Sequence, residues 1–90
     1  PATLTLAQNY PNPFSATQGT SIRFDLPRQS AVTLRVHDML GRVVATLADG
    51  TMDAGTVTVR FAAPTLPSGL YTYTLTVDGT PMVGRMIITR

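Results

Sequence analysis

Cysteine, tryptophan, lysine and glutamate are all absent from this sequence. Without cysteine there is no disulfide framework, no thiolate metal site and no thiol nucleophile. Without tryptophan the most effective sugar-stacking ring is missing, and only Tyr10, Tyr71 and Tyr73 remain to replace it. With no lysine or glutamate, all side-chain charge other than that of His37 rests on seven Arg and five Asp, for a formal net charge of +2. The arginines are scattered one to a segment rather than clustered, so the chain lacks the electrostatic footprint of a nucleic-acid binder. No apolar run approaches the ~20 residues of a membrane-spanning helix, and no stretch of ten residues keeps apolar spacings of three and four. The chain opens on Pro1 without a signal-peptide pattern, so it is expected to be a fragment of a longer protein.

What is present is β-strand patterning. In Tyr71-Thr72-Tyr73-Thr74-Leu75-Thr76-Val77 the apolar and aromatic residues fall on one parity and the threonines on the other. That period of two marks a half-buried strand. Pro67-Ser68-Gly69 ahead of it and Asp78-Gly79 behind it are turn chemistry. This stretch is expected to be the central strand, with the others laid around it. Asp78-Gly79 is a two-residue hairpin signal, so Thr80 to Thr89 should return antiparallel as the last strand. Pro81 should stand at its start or on a free edge.

The rest of the chain fits around this pair. Thr3-Leu4-Thr5-Leu6 reads as a short edge strand. Gln8 to Phe14 cannot continue it, because Pro11 and Pro13 remove donors and stiffen the chain; Tyr10 and Phe14 are expected to pin this crossing loop by burying their rings. Ser21 to Leu26 should turn Ile22, Phe24 and Leu26 inward. Pro27 to Ser30 reads as a turn, after which Val32, Leu34 and Val36 point in. Asp38-Met39-Leu40-Gly41 reads as a tight turn with Gly41 at positive φ. Arg42 to Leu47 carries apolar residues on both parities, which a bulge or a buried edge would explain. Asp49 to Gly55 reads as a loop, and Val57, Val59 and Phe61 as the inward side of another strand. About seven short strands without helices predict an all-β, immunoglobulin-like sandwich in two sheets, formed by a single domain over residues 1–90.

Candidate chemistry is sparse. His37 and Asp38 are neighbours on a strand and face opposite ways, so they cannot act as base and orienter. A serine triad would need Ser15, Ser21, Ser30 or Ser68 brought in by folding; no enzymatic activity is expected. Asp49 and Asp53 could offer hard oxygens to calcium, yet their spacing matches no dense carboxylate loop, and ordinary turn chemistry accounts for them. No metal, no cofactor and no nucleic-acid partner are expected. A carbohydrate-binding accessory module is an alternative for so small a sandwich, but each Tyr has a structural place available.

Five stretches together resemble one family. Asn9-Tyr10-Pro11-Asn12-Pro13-Phe14 is similar to its opening Asn-x-Pro-Asn-Pro-Phe motif. Ile22 to Pro27 fits its next strand and turn, and Val36 to Val44, with Asp38, Gly41 and Arg42, fits its Asp-x-x-Gly-Arg signature. Leu66-Pro67-Ser68-Gly69-Leu70-Tyr71 fits the approach to its central strand. Met82 to Arg90 resembles its closing basic and apolar strand. The family is the type A C-terminal sorting domains of the type IX (Por) secretion system of Bacteroidetes-like bacteria.

The resemblance implies an immunoglobulin-like sandwich and an address rather than a reaction. The outer-membrane translocon would recognise the folded domain, and a sortase-like peptidase would in many members remove it as the N-terminal cargo of the same precursor is attached to the cell surface. The cargo would thus be exported through the periplasm and outer membrane. Residues implied for recognition are Gly69, Tyr71, Arg85, Met86, Ile87, Ile88 and Arg90; structural roles are implied for Asn9, Pro11, Asn12, Pro13, Phe14, Asp38, Gly41 and Arg42. One departure is visible: Gly84-Arg85 stands where members usually carry lysine pairs, and a guanidinium keeps the charge with a different hydrogen-bond geometry. An alternative is an immunoglobulin-like structural or adhesive module such as the flagellar hook-capping domain, which shares the Asp-x-x-Gly-Arg and Gly-x-Tyr turns; the Asn-Pro-Phe loop and the Arg-terminated last strand favour the sorting domain. An exposed last strand could also pair by edge addition with a second copy.

Overall fold

A computed structural model describes all residues from Pro1 to Arg90. Eight strands form two sheets and there is no helix: β1 Thr5–Leu6, β2 Phe14–Ser15, β3 Thr20–Leu26, β4 Ser30–His37, β5 Val43–Met52, β6 Gly55–Phe61, β7 Gly69–Val77 and β8 Thr80–Thr89. The smaller sheet has the order β1-β3-β6 and the larger β2-β8-β7-β4-β5. The stretch with the cleanest alternation, β7, is the middle strand of the larger sheet. Its Tyr71, Tyr73, Leu75 and Val77 are buried while Thr72, Thr74 and Thr76 are half-buried on the outer face. Ile22, Phe24 and Leu26 of β3 meet them from the facing sheet, with Val32, Leu34, Val36, Met86 and Ile88 completing the core. Phe14 and Phe61 close one end edge to face, ring centroids 6.2 Å apart. Every buried polar side-chain atom has a hydrogen-bond partner.

Local turn chemistry acts where the sequence places it. Val77 pairs with Thr80 across Asp78-Gly79, both of which take positive φ, 48° and 86°, the geometry of the hairpin turn that follows the twist of its strands. Pro81 stands at the start of β8, opposite Thr76. Of the two causes expected for the mixed parity of the fifth strand, the bulge is the one found: its register against β4 slips twice, skipping Val44 and Leu47. β5 is an edge strand, but not a buried one, since none of its residues is fully buried.

Four expectations are corrected. Thr3 and Leu4 lie outside the first strand, which is only Thr5–Leu6. Asp49 to Gly55 is not a loop. β5 runs on through Met52, with Asp49, Gly50 and Thr51 paired to Thr33, Val32 and Ala31, and only Asp53-Ala54 turn the chain into β6. Polar residues there suit an edge strand that faces water as well as they suit a turn. Phe14-Ser15, read as the end of a loop, is a short strand parallel to the end of β8. Tyr10 does not pin the crossing loop: the residue is 80% exposed. Its backbone bridges Ser21 in both directions, at 3.0 and 2.9 Å, and it is the neighbouring Asn9 that is buried. The loop is therefore held by polar groups and by Phe14, not by the Tyr10 ring.

Candidate functional site

Two segments far apart in sequence meet at the outer edge of β8. Gln8 Nε2 donates to the Arg85 carbonyl at 2.7 Å, and Asn12 Nδ2 reaches the same oxygen at 3.4 Å. Asn12 Oδ1 accepts the Ile87 N–H at 2.9 Å. Phe14 and Ser15 then pair with Ile88 and Thr89, and Ala16 N–H donates to the Thr89 carbonyl at 3.0 Å. Such a row of free backbone groups on an edge is otherwise a template for another strand. Here the opening Asn-Pro-Phe segment covers it from Arg85 onward, so edge addition by a second copy has only the Thr80–Gly84 half of β8 available.

The opening segment is itself anchored by Asn9. Its Nδ2 donates to Thr20 Oγ1 at 3.0 Å and to the Pro11 carbonyl at 3.3 Å, while Thr20 Oγ1 donates to the Pro11 carbonyl at 2.8 Å. The Asn9 N–H donates to Tyr73 Oη at 3.0 Å, and Tyr73 Oη donates to the Ala7 carbonyl at 3.0 Å. Burial raises the Tyr73 phenol above its ordinary value of 10.0, the Asn9 N–H partly opposing it, so it stays a protonated donor at neutral pH. Gly84, directly opposite Tyr73 in the β7–β8 ladder, makes this reach possible. A Cβ on Gly84 would overlap Tyr73 Cζ and Oη. In the sequence Tyr73 falls on the inward parity and Gly84 stands only as a departure from the family, and neither of them, nor Gln8, was expected to take part in this site. A glycine in the middle of an otherwise apolar strand was the available signal, because it often marks a close approach by other atoms.

The residues implied for recognition divide by face. Met86 and Ile88 are buried in the core and Tyr71 is 5% exposed; Arg85, Ile87 and Arg90 stand outside. Tyr71 Oη donates to the Pro67 carbonyl at 2.7 Å, a side chain returning to the backbone just upstream in the manner of the tyrosine corner of immunoglobulin-like sandwiches. Gly69 and Tyr71 pair with Ile88 and Met86. Arg90 Nη2 donates to the Leu66 carbonyl at 2.9 Å, so the last residue is tied to the approach to β7. The Arg85 guanidinium makes no ion pair; those present are Arg42–Asp38 and Arg35–Asp49.

Asp38, Gly41 and Arg42 build a turn rather than a reactive centre. Asp38 Oδ1 accepts the N–H groups of Leu40 and Arg42 at 2.9 and 3.0 Å, and Oδ2 accepts Arg42 Nε at 2.8 Å. Gly41, at φ 82°, occupies a left-handed position with its N–H on the Asp38 carbonyl, where a side chain would strain the backbone. Burial pushes the Asp38 carboxyl up, but the Arg42 N–H, the Arg42 side chain and the Leu40 N–H outweigh it and hold it below 3.8. On the smaller sheet Asp25 accepts Thr56 Oγ1 at 2.7 Å and Thr5 Oγ1 at 2.8 Å; these two bonds, Thr56 first, lower its carboxyl as well. Asp49 sits on β5 facing Arg35, and Asp53 accepts Gln29 Nε2 at 3.3 Å. His37 is half-buried on the outer face of β4, opposite Thr72.

The comparisons with known proteins agree with this architecture. The family model for the secretion system C-terminal sorting domain matches residues 8–89. The chain belongs to that family, the C-terminal sorting domains of type IX secretion. A similar solved structure is PorZ, an essential bacterial surface component of the type IX secretion system of the human oral bacterium Porphyromonas gingivalis. It has a TM-score of 0.60 at 17% identity over 97% of this chain, which spans 11% of the PorZ chain. No curated protein sequence is a match to this chain. A family of sorting signals is not a family of enzymes; its members act through the type IX machinery and are destined for the cell surface or beyond.

Proposed function

We propose that residues 1–90 are the single C-terminal sorting domain of a longer secreted precursor, that the type IX outer-membrane translocon recognises this domain in its folded form, and that a sortase-like peptidase removes it as the cargo is attached to the cell surface. The match of residues 8–89 to the sorting-domain family carries this reading. The clamp of Asn12 on Ile87 supports recognition of a folded unit, since it joins motif residues 75 positions apart. In an unfolded tail those residues would not share a surface. Arg85 and Arg90 are the basic residues of the last thirty positions, and they are the side chains of the closing segment proposed to meet the machinery together with Ile87. Gly69, Tyr71, Met86 and Ile88 contribute by holding that segment in place.

The test is a fusion of residues 1–90 to the C-terminus of a periplasmic reporter in a type IX-competent bacterium. Surface reporter is expected in the parent strain and none in a translocon mutant. Arg85→Ala with removal of Arg90 should leave the fold intact and block export. The size of the surface-bound reporter then reports the cleavage step. A folded fusion that stays in the periplasm would overturn the reading in favour of a structural or adhesive module.

A further inference from the structure

The outer faces of the two sheets differ in kind. On the smaller sheet Ser21, Arg23 and Asp25 of β3 stand beside Arg60, Thr58 and Thr56 of β6, and no large apolar side chain is exposed there. On the larger sheet Leu70 pairs with Ile87, Thr72 with Arg85, and Thr74 with Val83, while Thr72 and Thr74 pair on their other side with His37 and Arg35, and His37 with Val43. Directly opposed side chains on one face lie about 5 Å apart, so these residues form one continuous surface. Met39 lines a shallow groove together with Leu70 and Thr72, which extends the surface onto the Asp38–Gly41 turn. Of the seven large apolar side chains that stand exposed, all but Tyr10 lie on this face or in that turn; Val83 is 65% and Ile87 43% exposed. Isolated exposed apolar residues are ordinary, whereas a contiguous group on one face of a small domain marks a contact surface.

We propose that this face is the docking surface of the domain, and that its partner is a protein of the export machinery presenting an apolar centre flanked by Asp or Glu carboxylates. The inference rests on the sorting reading above and says where on the domain recognition occurs. Charge selects the partner. Arg35, His37 and Arg85 lie within the face; of its carboxylates, Asp49 is at the rim beside Arg35 and Asp38, in the adjoining turn, is paired with Arg42. A second copy brought face to face would set arginine against arginine, whereas a partner with carboxylates would match them. Arginine among apolar groups is also the composition of protein interface cores. A lipid surface is the poorer match, because membrane-surface sites rely on clusters of Lys or Arg and on Trp or Tyr anchors, and this face has neither.

The fusion reporter tests the proposal with three variants. Arg85→Glu should lower surface reporter by about tenfold, as loss of a charged contact at an interface does. The triple variant Leu70→Thr, Val83→Thr, Ile87→Thr, which keeps strand-forming residues, should do the same. Arg23→Glu makes the same charge change on the opposite face and should export normally. Thermal midpoints of the 90-residue chain establish that each variant folds; should the triple variant unfold, Arg85→Glu decides. If the unaltered fusion is exported and both face variants are exported equally well, the docking face is wrong and the sorting reading stands. If the unaltered fusion is not exported at all, both are overturned. Sedimentation of the chain with phosphatidylserine vesicles, lost on Arg85→Glu, would overturn the protein partner in favour of lipid.

Discussion

Tyr73 and Gly84 face each other across β7 and β8, and the Tyr73 ring lies where a Gly84 side chain would stand. The absence of a Cβ opens a passage across β8, through which the phenol reaches the backbone of Ala7 and Asn9. One residue of the central strand thereby ties the last strand to the opening loop.

Gly84→Ala should destabilise the domain by about 1–3 kcal/mol, because the new methyl forces an aromatic ring out of a packed site. Urea unfolding measures the loss. In a Tyr73→Ala background the same substitution should cost much less, and a double-mutant cycle gives the difference. Equal costs in both backgrounds would mean that ring and glycine are not coupled.

Tyr73→Phe removes the partner of a buried N–H and should cost about 1–3 kcal/mol, the penalty of leaving such a donor unsatisfied. Tyr71→Phe loses one bond to the Pro67 carbonyl, about 1 kcal/mol. Tyr71→Ala removes the whole ring from the core and should cost roughly 3–5 kcal/mol. The order Tyr71→Ala above Tyr73→Phe above Tyr71→Phe is read from equilibrium unfolding midpoints.

Asn12→Ala should release the Ile87 N–H while leaving the core unchanged, and the Arg85 carbonyl keeps its bond from Gln8. A global loss of only about 1 kcal/mol is expected, with hydrogen exchange at Ile87, whose N–H points away from β7 to Asn12, accelerated well beyond that at Met86, whose N–H alternates to the β7 side. Uniform acceleration along β8 would argue that Asn12 acts on the whole fold instead of capping one edge.

Stability should fall as pH drops through and below 3.8. Asp25 and Asp38 both have carboxyls held below that ordinary value in the folded chain. A group lowered by folding contributes stability that is present above its unfolded pKa and disappears as pH falls through its folded one. Thermal midpoints between pH 7 and pH 2 should therefore decline at the acid end, and Asp25→Asn with Asp38→Asn should flatten that decline. An unchanged slope in the double variant would place the acid sensitivity on other groups.

Much of the fold was legible from the sequence because its causes are local. A period of two over Tyr71 to Val77 states which side chains face the core, and Asp78-Gly79 dictates the hairpin through its backbone preferences alone. The disturbed parity of Arg42 to Leu47 was legible as a bulge for the same reason, while the buried edge offered beside it is not what the structure has. Asp49 to Met52 was misread because an edge strand open to water has the composition of a loop. Tyr10 was misread because neighbouring residues of extended chain face opposite ways, and the inward place is held by Asn9, whose side chain is satisfied by Thr20 and Pro11.

The sequence by itself determined the strand periods, the Asp78-Gly79 and Asp38–Gly41 turns and the motifs of the sorting family, since each is carried by residues within a few positions of one another. Only the tertiary structure decided that Asn12 caps Ile87, that Tyr73 passes over Gly84 and that the exposed apolar residues gather on one sheet. Those relationships join residues brought together by strand order and register, and neither leaves a periodic trace along the chain.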